Sequence, residues 1–258
     1  MKQTLVFILA LLILTGCDNS KIVTEDWGDG RKVTKEYPNY QDTTTYLRKF
    51  YYPNGQLGTE GKYIDGQMHD VWQWWYENGQ LKDSGRYEIG DQTGCFIHYH
   101  QNGQIKMKRN IHYGTCIGEF IEYYENGQIF TIGERDSLGR KKGVIKNYHE
   151  NGQLKAKAKY KNDLEFGKSV FYYKNAIISQ ETDYINGLKN GKSILYYRNG
   201  NPEFLITYLN DTMNGLYLEY YESGEIMLEG KYKNGEKFGK WIWYNQDGTI
   251  KTQEEYKN

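Results

Sequence analysis

A seven-residue stretch, Tyr123-Tyr124-Glu125-Asn126-Gly127-Gln128-Ile129, recurs with small changes nine times along this chain. The turn glycines are Gly55, Gly79, Gly103, Gly127, Gly152, Gly200, Gly224 and Gly248, with Ala176 standing in once. Every step is 24 residues except the 25 from Gly127 to Gly152. Self-similarity at a fixed period marks a repeat architecture, in which stacked neighbours bury what a lone unit cannot. Asn-Gly between two strand-like runs predicts a two-residue type I′ turn, because both central residues need positive φ. Each copy therefore reads as the tip of a β-hairpin.

Two more landmarks keep the step. One is Gly at 94, 118, 143, 167, 191, 215 and 239, with Asp70 in the first copy. The other is Tyr at 63, 87, 160, 184, 208, 232 and 256, with Ile111 and Arg135 as exceptions. The first strand of each repeat runs from the landmark Gly to the Asn-Gly turn. Its third and fifth positions, as in Ile121/Tyr123, Val170/Tyr172 and Ile194/Tyr196, share one face and predict a column of aliphatics beside a column of tyrosines. The second strand carries Leu or Ile two residues after the turn, then the landmark Tyr six further on. Gly61, Gly85, Gly133 and Gly230 lie between them, where a missing side chain leaves room for a ring from the next strand. One hairpin this short cannot bury its apolar face. Stacking predicts an all-β fold, an elongated, twisted single antiparallel sheet of roughly 17 strands, on the order of 80 Å long.

The hairpins resemble MORN-type repeats, in the bacterial variant with a Tyr-Tyr-x-Asn-Gly-Gln-Leu turn and a downstream Gly-x-Tyr. The resemblance covers residues 46–258. Three departures stand out: Ala176 at a Gly position, Pro202 for the apolar Leu or Ile, and Arg135 for the landmark Tyr beside the 25-residue step. Residues 133–143 are expected to be the least regular segment.

Residues 1–16 read as a lipoprotein signal peptide: Lys2, an unbroken apolar run from Leu5 to Leu14, then Leu14-Thr15-Gly16-Cys17. That run is too short to span a bilayer as a stable helix. The last four residues are similar to the bacterial lipobox, and the resemblance implies cleavage before Cys17 and its acylation. Several acyl chains make anchoring stable. Asp18 bears on which membrane is chosen in enteric bacteria only, so the leaflet stays open. Residues 17–45 read as lipidated Cys, tether and N-terminal cap. Asp26-Trp27-Gly28-Asp29-Gly30 is suited to turn a degenerate capping hairpin between Val23 and Val33, and it lacks the ligand spacing of a calcium loop.

The balance of charge limits the partners. Lys plus Arg equal Asp plus Glu at 33 each, so no global basic field draws nucleic acid. A polar chain with 26 tyrosines suits a thin sheet with aromatic columns. Cys95 and Cys116 are expected two strands apart, beyond disulfide reach, and therefore unpaired.

Catalytic patterns are weak. Gly167-Lys168-Ser169 and Gly191-Lys192-Ser193 resemble the end of a phosphate loop but lack its first Gly, since Asn162 and Asn186 stand there. His98 and His100 share a strand face without a third or fourth metal ligand, and read as solvent-facing. No nucleophile arrangement or carboxylate pair has a recognisable context. The expectation is a protein without enzymatic activity, metal or cofactor.

The second face of the sheet is the candidate binding face: Trp72, Trp74, Tyr76, Phe120, Tyr124, Phe171, Tyr173, Tyr217, Tyr221, Trp241 and Trp243, with Phe96 between. Exposed aromatics on a rigid sheet suit protein or glycan recognition; packed against each other, they would instead stabilise a one-layer sheet. The leading expectation is a lipid-anchored cell-envelope scaffold that binds a protein partner. Bacterial MORN-type proteins are often labelled antitoxin components, so the resemblance also implies a toxin-neutralising or immunity protein. Phospholipid binding, attributed to some eukaryotic MORN proteins, implies a third reading as a glycan- or phospholipid-binding module.

Overall fold

The computed structural model describes residues 19–257. The signal segment and Cys17 lie outside the described residues. The described chain is all-β: antiparallel strands follow one another in sequence order, and no helix occurs among them. It divides into two compact units, Met1–Gly127 and Gln128–Asn258. A repeat touches only its neighbours, so no shared core ties distant hairpins together.

The first unit holds nine strands: β1 (Lys21–Asp26), β2 (Lys32–Tyr37), β3 (Thr45–Tyr51), β4 (Leu57–Ile64), β5 (Gln67–Trp75), β6 (Leu81–Glu88), β7 (Asp91–Tyr99), β8 (Ile105–His112) and β9 (Thr115–Tyr123). The second holds twelve: β10 (Ile129–Arg135), β11 (Lys141–Tyr148), β12 (Leu154–Lys161), β13 (Leu164–Glu165), β14 (Gly167–Tyr172), β15 (Ile178–Ile185), β16 (Leu188–Tyr196), β17 (Pro202–Leu209), β18 (Thr212–Tyr220), β19 (Ile226–Lys233), β20 (Glu236–Tyr244) and β21 (Ile250–Tyr256).

β1 and β2 form the expected cap hairpin, with Glu25 opposite Val33. Its acidic residues are occupied locally: Asp26 Oδ1 accepts from the Gly28 amide at 2.8 Å, and Asp29 pairs with Arg31 at 2.5 Å. Arg31 lies over the Trp27 ring.

The turn type at the repeated motif is a correction. Gly55 has φ 83°, but Asn54 is not left-handed. The Gly55 amide donates to Tyr52 O and the Tyr52 amide to Gln56 O, both at 2.9 Å. This is a three-residue loop, a type I turn closed by a left-handed Gly with a bulge. Pro53 at the second turn position suits it, because proline presets φ. The type I′ turns sit at the other hairpin ends, as at Asp65-Gly66 (φ 51° and 76°) and Asn186-Gly187 (φ 50° and 82°).

The irregular segment has the same explanation. Between β10 and β11 the return turn takes the three-residue form, with the Gly139 amide donating to Asp136 O at 3.0 Å. One extra loop residue accounts for the 25-residue step. Asp136 caps it, accepting from the Leu138 and Arg140 amides and pairing with the Arg140 guanidinium.

The landmark glycines lie within strands, at bulges. Strands begin about three residues earlier than predicted, so Cys116 is on β9 and not in a loop. Cys95 and Cys116 are both free thiols. At the bulge between β4 and β5 one residue faces three. Glu60 pairs with Gln73 and Lys62 with His69, leaving Gly61 against Asp70, Val71 and Trp72. The extra residues throw the Trp72 ring over Gly61. A Cβ on Gly61 would stand 2.0 Å from that ring; one on Gly85 would stand 2.1 Å from Phe96, and one on Gly230 2.2 Å from Trp241. The room predicted at those glycines is filled by these rings.

Candidate functional site

Part of the face proposed for binding is core. Trp72 is 2% exposed, Phe120 8% and Trp241 1%. In the first unit Trp72, Tyr87, Phe96 and Ile111 form one cluster, with Trp74 and the landmark Tyr63 packed against it. In the second, Tyr217 packs on Tyr232 and Trp241. Burial pushes the Tyr217 phenol up to about 12. These rings stabilise the sheet, and Trp72, Phe120 and Trp241 are buried from solvent. The physical reason is the bulge, which turns the second residue after each landmark Gly inward onto the preceding strand.

Tyr76, Tyr173 and Tyr221 have a different role that the sequence reading missed. Each hydroxyl donates to a backbone carbonyl one repeat on: Tyr76 to Tyr99 O at 2.9 Å, Tyr173 to Tyr196 O at 2.6 Å and Tyr221 to Tyr244 O at 2.8 Å. Tyr52 and Tyr197 do the same, to Trp75 O and Tyr220 O. His100 and His149 replace Tyr, their Nε2–H donating to Tyr123 O and Tyr172 O. Tyr124 holds the same place in its own turn. The accepting residue sits where the register shifts, as between Trp74 and Trp75 or between His98 and Tyr99. A bulge takes that carbonyl out of the ladder, and the tyrosine of the preceding repeat satisfies it. The signal was present in the sequence: His stands where Tyr recurs, which selects for a donor at the tip of a flat ring.

The rest of the motif is used similarly. Asn54 Oδ1 accepts from the Gln56 amide, while its Nδ2 donates to Glu77 O in the next repeat, both at 2.9 Å. Asn78, Asn102, Asn151 and Asn199 repeat that second bond. A Cβ on Gly103 would lie 2.8 Å from Gln80 Oε1. That turn Gly is favoured by its left-handed φ, and it leaves room for the preceding repeat's Gln.

Of the named aromatics, Phe171 is the most exposed, at 37%. Trp74 and Trp243 are half-buried. Trp243 shares the Lys237 ammonium with Trp241 and Tyr256, at 4.5–5.5 Å from the three ring centroids.

The chemical candidates fare likewise. His98 Nδ1 bonds Asp83 Oδ1, so His98 and His100 are not solvent-facing as expected. Among the described residues no group of three His, Cys, Asp or Glu is placed to hold a metal. Lys168 pairs with Glu181 at 3.1 Å, and the buried Ser169 hydroxyl donates to Glu165. Ser193 bonds Thr182 at 2.8 Å. Both Gly-Lys-Ser tripeptides lie on strands, one opening β14 and one within β16.

The sequence matches the family profile described as MORN repeat variant at residues 47–65, 71–88, 92–112, 117–135, 141–162, 189–210, 213–234 and 239–258. The copy it passes over contains Ala176 and the interrupted β13–β14 pair, yet Tyr173 keeps its bond to the next repeat. No curated protein matches the chain. Among solved structures, the Photorhabdus luminescens Tc holotoxin pore is 11% identical with a TM-score of 0.24; the alignment covers 90% of this chain and 14% of that one. A porin-like protein from Bacteroides uniformis is 9% identical with a TM-score of 0.20, covering 85% of this chain and 92% of that one. Superpositions this poor carry no functional argument.

Proposed function

The chain belongs to the MORN repeat variant family, and from that membership we propose a non-catalytic scaffold of the bacterial cell envelope, anchored by lipid on Cys17 and binding a protein partner. MORN repeats make a repeat scaffold or binding module. The observation that carries the scaffold reading is the Tyr/His ladder: the recurring polar side chains are spent on holding the next repeat. Binding then belongs to the outward side chains that differ from repeat to repeat. The anchor rests on the sequence Leu14-Thr15-Gly16-Cys17 after a ten-residue apolar run.

In-cell crosslinking and pull-down of the intact protein, beside Cys17→Ala, tests both parts. Envelope proteins captured by the wild type and lost in Cys17→Ala support the anchored scaffold. One dominant small partner encoded nearby would replace it with toxin neutralisation. No protein partner at all overturns it in favour of a glycan or phospholipid ligand. Labelled palmitate should enter the wild type and not Cys17→Ala.

A further inference from the structure

Strand β12 reads Leu-Lys-Ala-Lys-Ala-Lys-Tyr-Lys, and its lysines Lys155, Lys157 and Lys159 are all exposed on one side. Lys146 of β11, also exposed, lies directly opposite Lys157. None of these four ammonium groups has an ion pair or side-chain hydrogen bond with another described residue. Lysines nearby do: Lys142, at the start of β11, pairs with Glu134 at 2.8 Å, and Lys168 on β14 with Glu181 at 3.1 Å. Here four exposed lysines without a counter-charge lie together on one face.

Two physical features set the patch apart. Like charges directly opposite across a ladder destabilise a sheet. And Lys146 holds the position that is Val170, Ile194, Leu218 and Ile242 in the other repeats of this unit, so it interrupts an aliphatic column. Val144, 46% exposed, lies opposite Lys159 beside it. Because the whole chain is neutral, this local concentration is invisible in the composition.

We propose that the outward face of β11 and β12 docks an extended acidic segment of a protein partner, through Lys146, Lys155, Lys157 and Lys159. This rests on the scaffold reading and names its partner's chemistry. Alternate residues on a strand recur every ~6.6–6.8 Å, and carboxylates on alternate residues of an extended peptide have the same spacing. The patch has no arginine to grip phosphate bidentately. β12 is already paired on both edges, to β11 and β14, so recognition runs through side chains and not through an added strand.

The test uses the chain from residue 19 onward and a fluorescent (Ser-Glu)6 peptide, with (Ser-Gln)6, single-stranded DNA and anionic phospholipid vesicles beside it. Anisotropy at low salt should show binding of (Ser-Glu)6 alone. Lys155→Gln/Lys157→Gln/Lys159→Gln should weaken it on the order of tenfold or more, and added salt should weaken it in the wild type. Circular dichroism confirms the fold, and Lys231→Gln/Lys240→Gln controls for lost charge elsewhere. Equal binding by the triple variant, no binding of (Ser-Glu)6, or tighter binding of DNA or vesicles overturns the proposal. If a partner captured in cells stays bound to the triple variant, the scaffold stands and this surface falls.

Discussion

Single residues in this chain are strained where the repeat is imperfect. Ala176 holds φ 65°, where the other copies place Gly, and Ile89 φ 50°, where most copies place Asn or Asp and one places Tyr113. A left-handed L-residue costs roughly 1–2 kcal/mol, and a β-branched one has least tolerance for it. Ala176→Gly and Ile89→Asn should each stabilise by about 1 kcal/mol, seen as higher urea midpoints with unchanged slopes. The opposite holds at the bulge glycines. Gly61→Ala and Gly230→Ala, each meeting an indole, should cost about 1–3 kcal/mol. Trp72→Leu should be less harmful in the Gly61→Ala background than alone, a coupling that a double-mutant cycle measures. Size complementarity across the bulge also explains the polar interior of the second unit: buried Ser193 faces Thr182, where Trp241 faces Gly230.

At the level of the hairpin, the bulge and the ladder are one device. The bulge turns a ring inward and strands a carbonyl, and the Tyr of the preceding repeat caps that carbonyl. Tyr76→Phe should therefore cost about 1 kcal/mol, a typical net hydrogen bond, with the fold intact. His100→Tyr should be tolerated and His100→Leu should not, because leucine leaves the Tyr123 carbonyl unpaired; thermal denaturation separates the two. The last turn ends the pattern. There Asn245 donates to Thr249 and Asp247 accepts from it, so the turn satisfies itself.

Across the whole molecule, partly buried tyrosines recur beside the aliphatic and aromatic core, and that has a pH signature. Burial raises Tyr46, Tyr160, Tyr184, Tyr208 and Tyr220 above 10.0, and Tyr217 to about 12. A phenol raised in the folded state is protonated in both states below pH 10. Above it the unfolded chain loses the proton first, so stability is full below pH 10 and falls as pH rises toward 12. Melting temperature should decline over that window, and less steeply in Tyr217→Phe. Nearest-neighbour stacking makes a second prediction: deleting one whole period within the first unit, residues 80–103, should leave a folded protein with a smaller urea slope. Deleting half a period should not, because it joins a first strand to a first strand.

The sequence alone determined the period, the hairpins, the all-β class and the family, because a 24-residue step with Asn-Gly, Gly and Tyr landmarks has few structural solutions. It also located the glycines that make room for rings. The tertiary structure decided what those rings do. Face assignment by alternation presumes an unbroken strand, and each bulge shifts the count, so Trp72, Phe120 and Trp241, read as part of an open binding face, became core. The turn at Asn54-Gly55 went the same way: one dipeptide serves two turn types, and loop length with contacts 23 residues away chose between them. Charge followed too, since a neutral total hides where unpaired lysines gather until register sets Lys146 against Lys157.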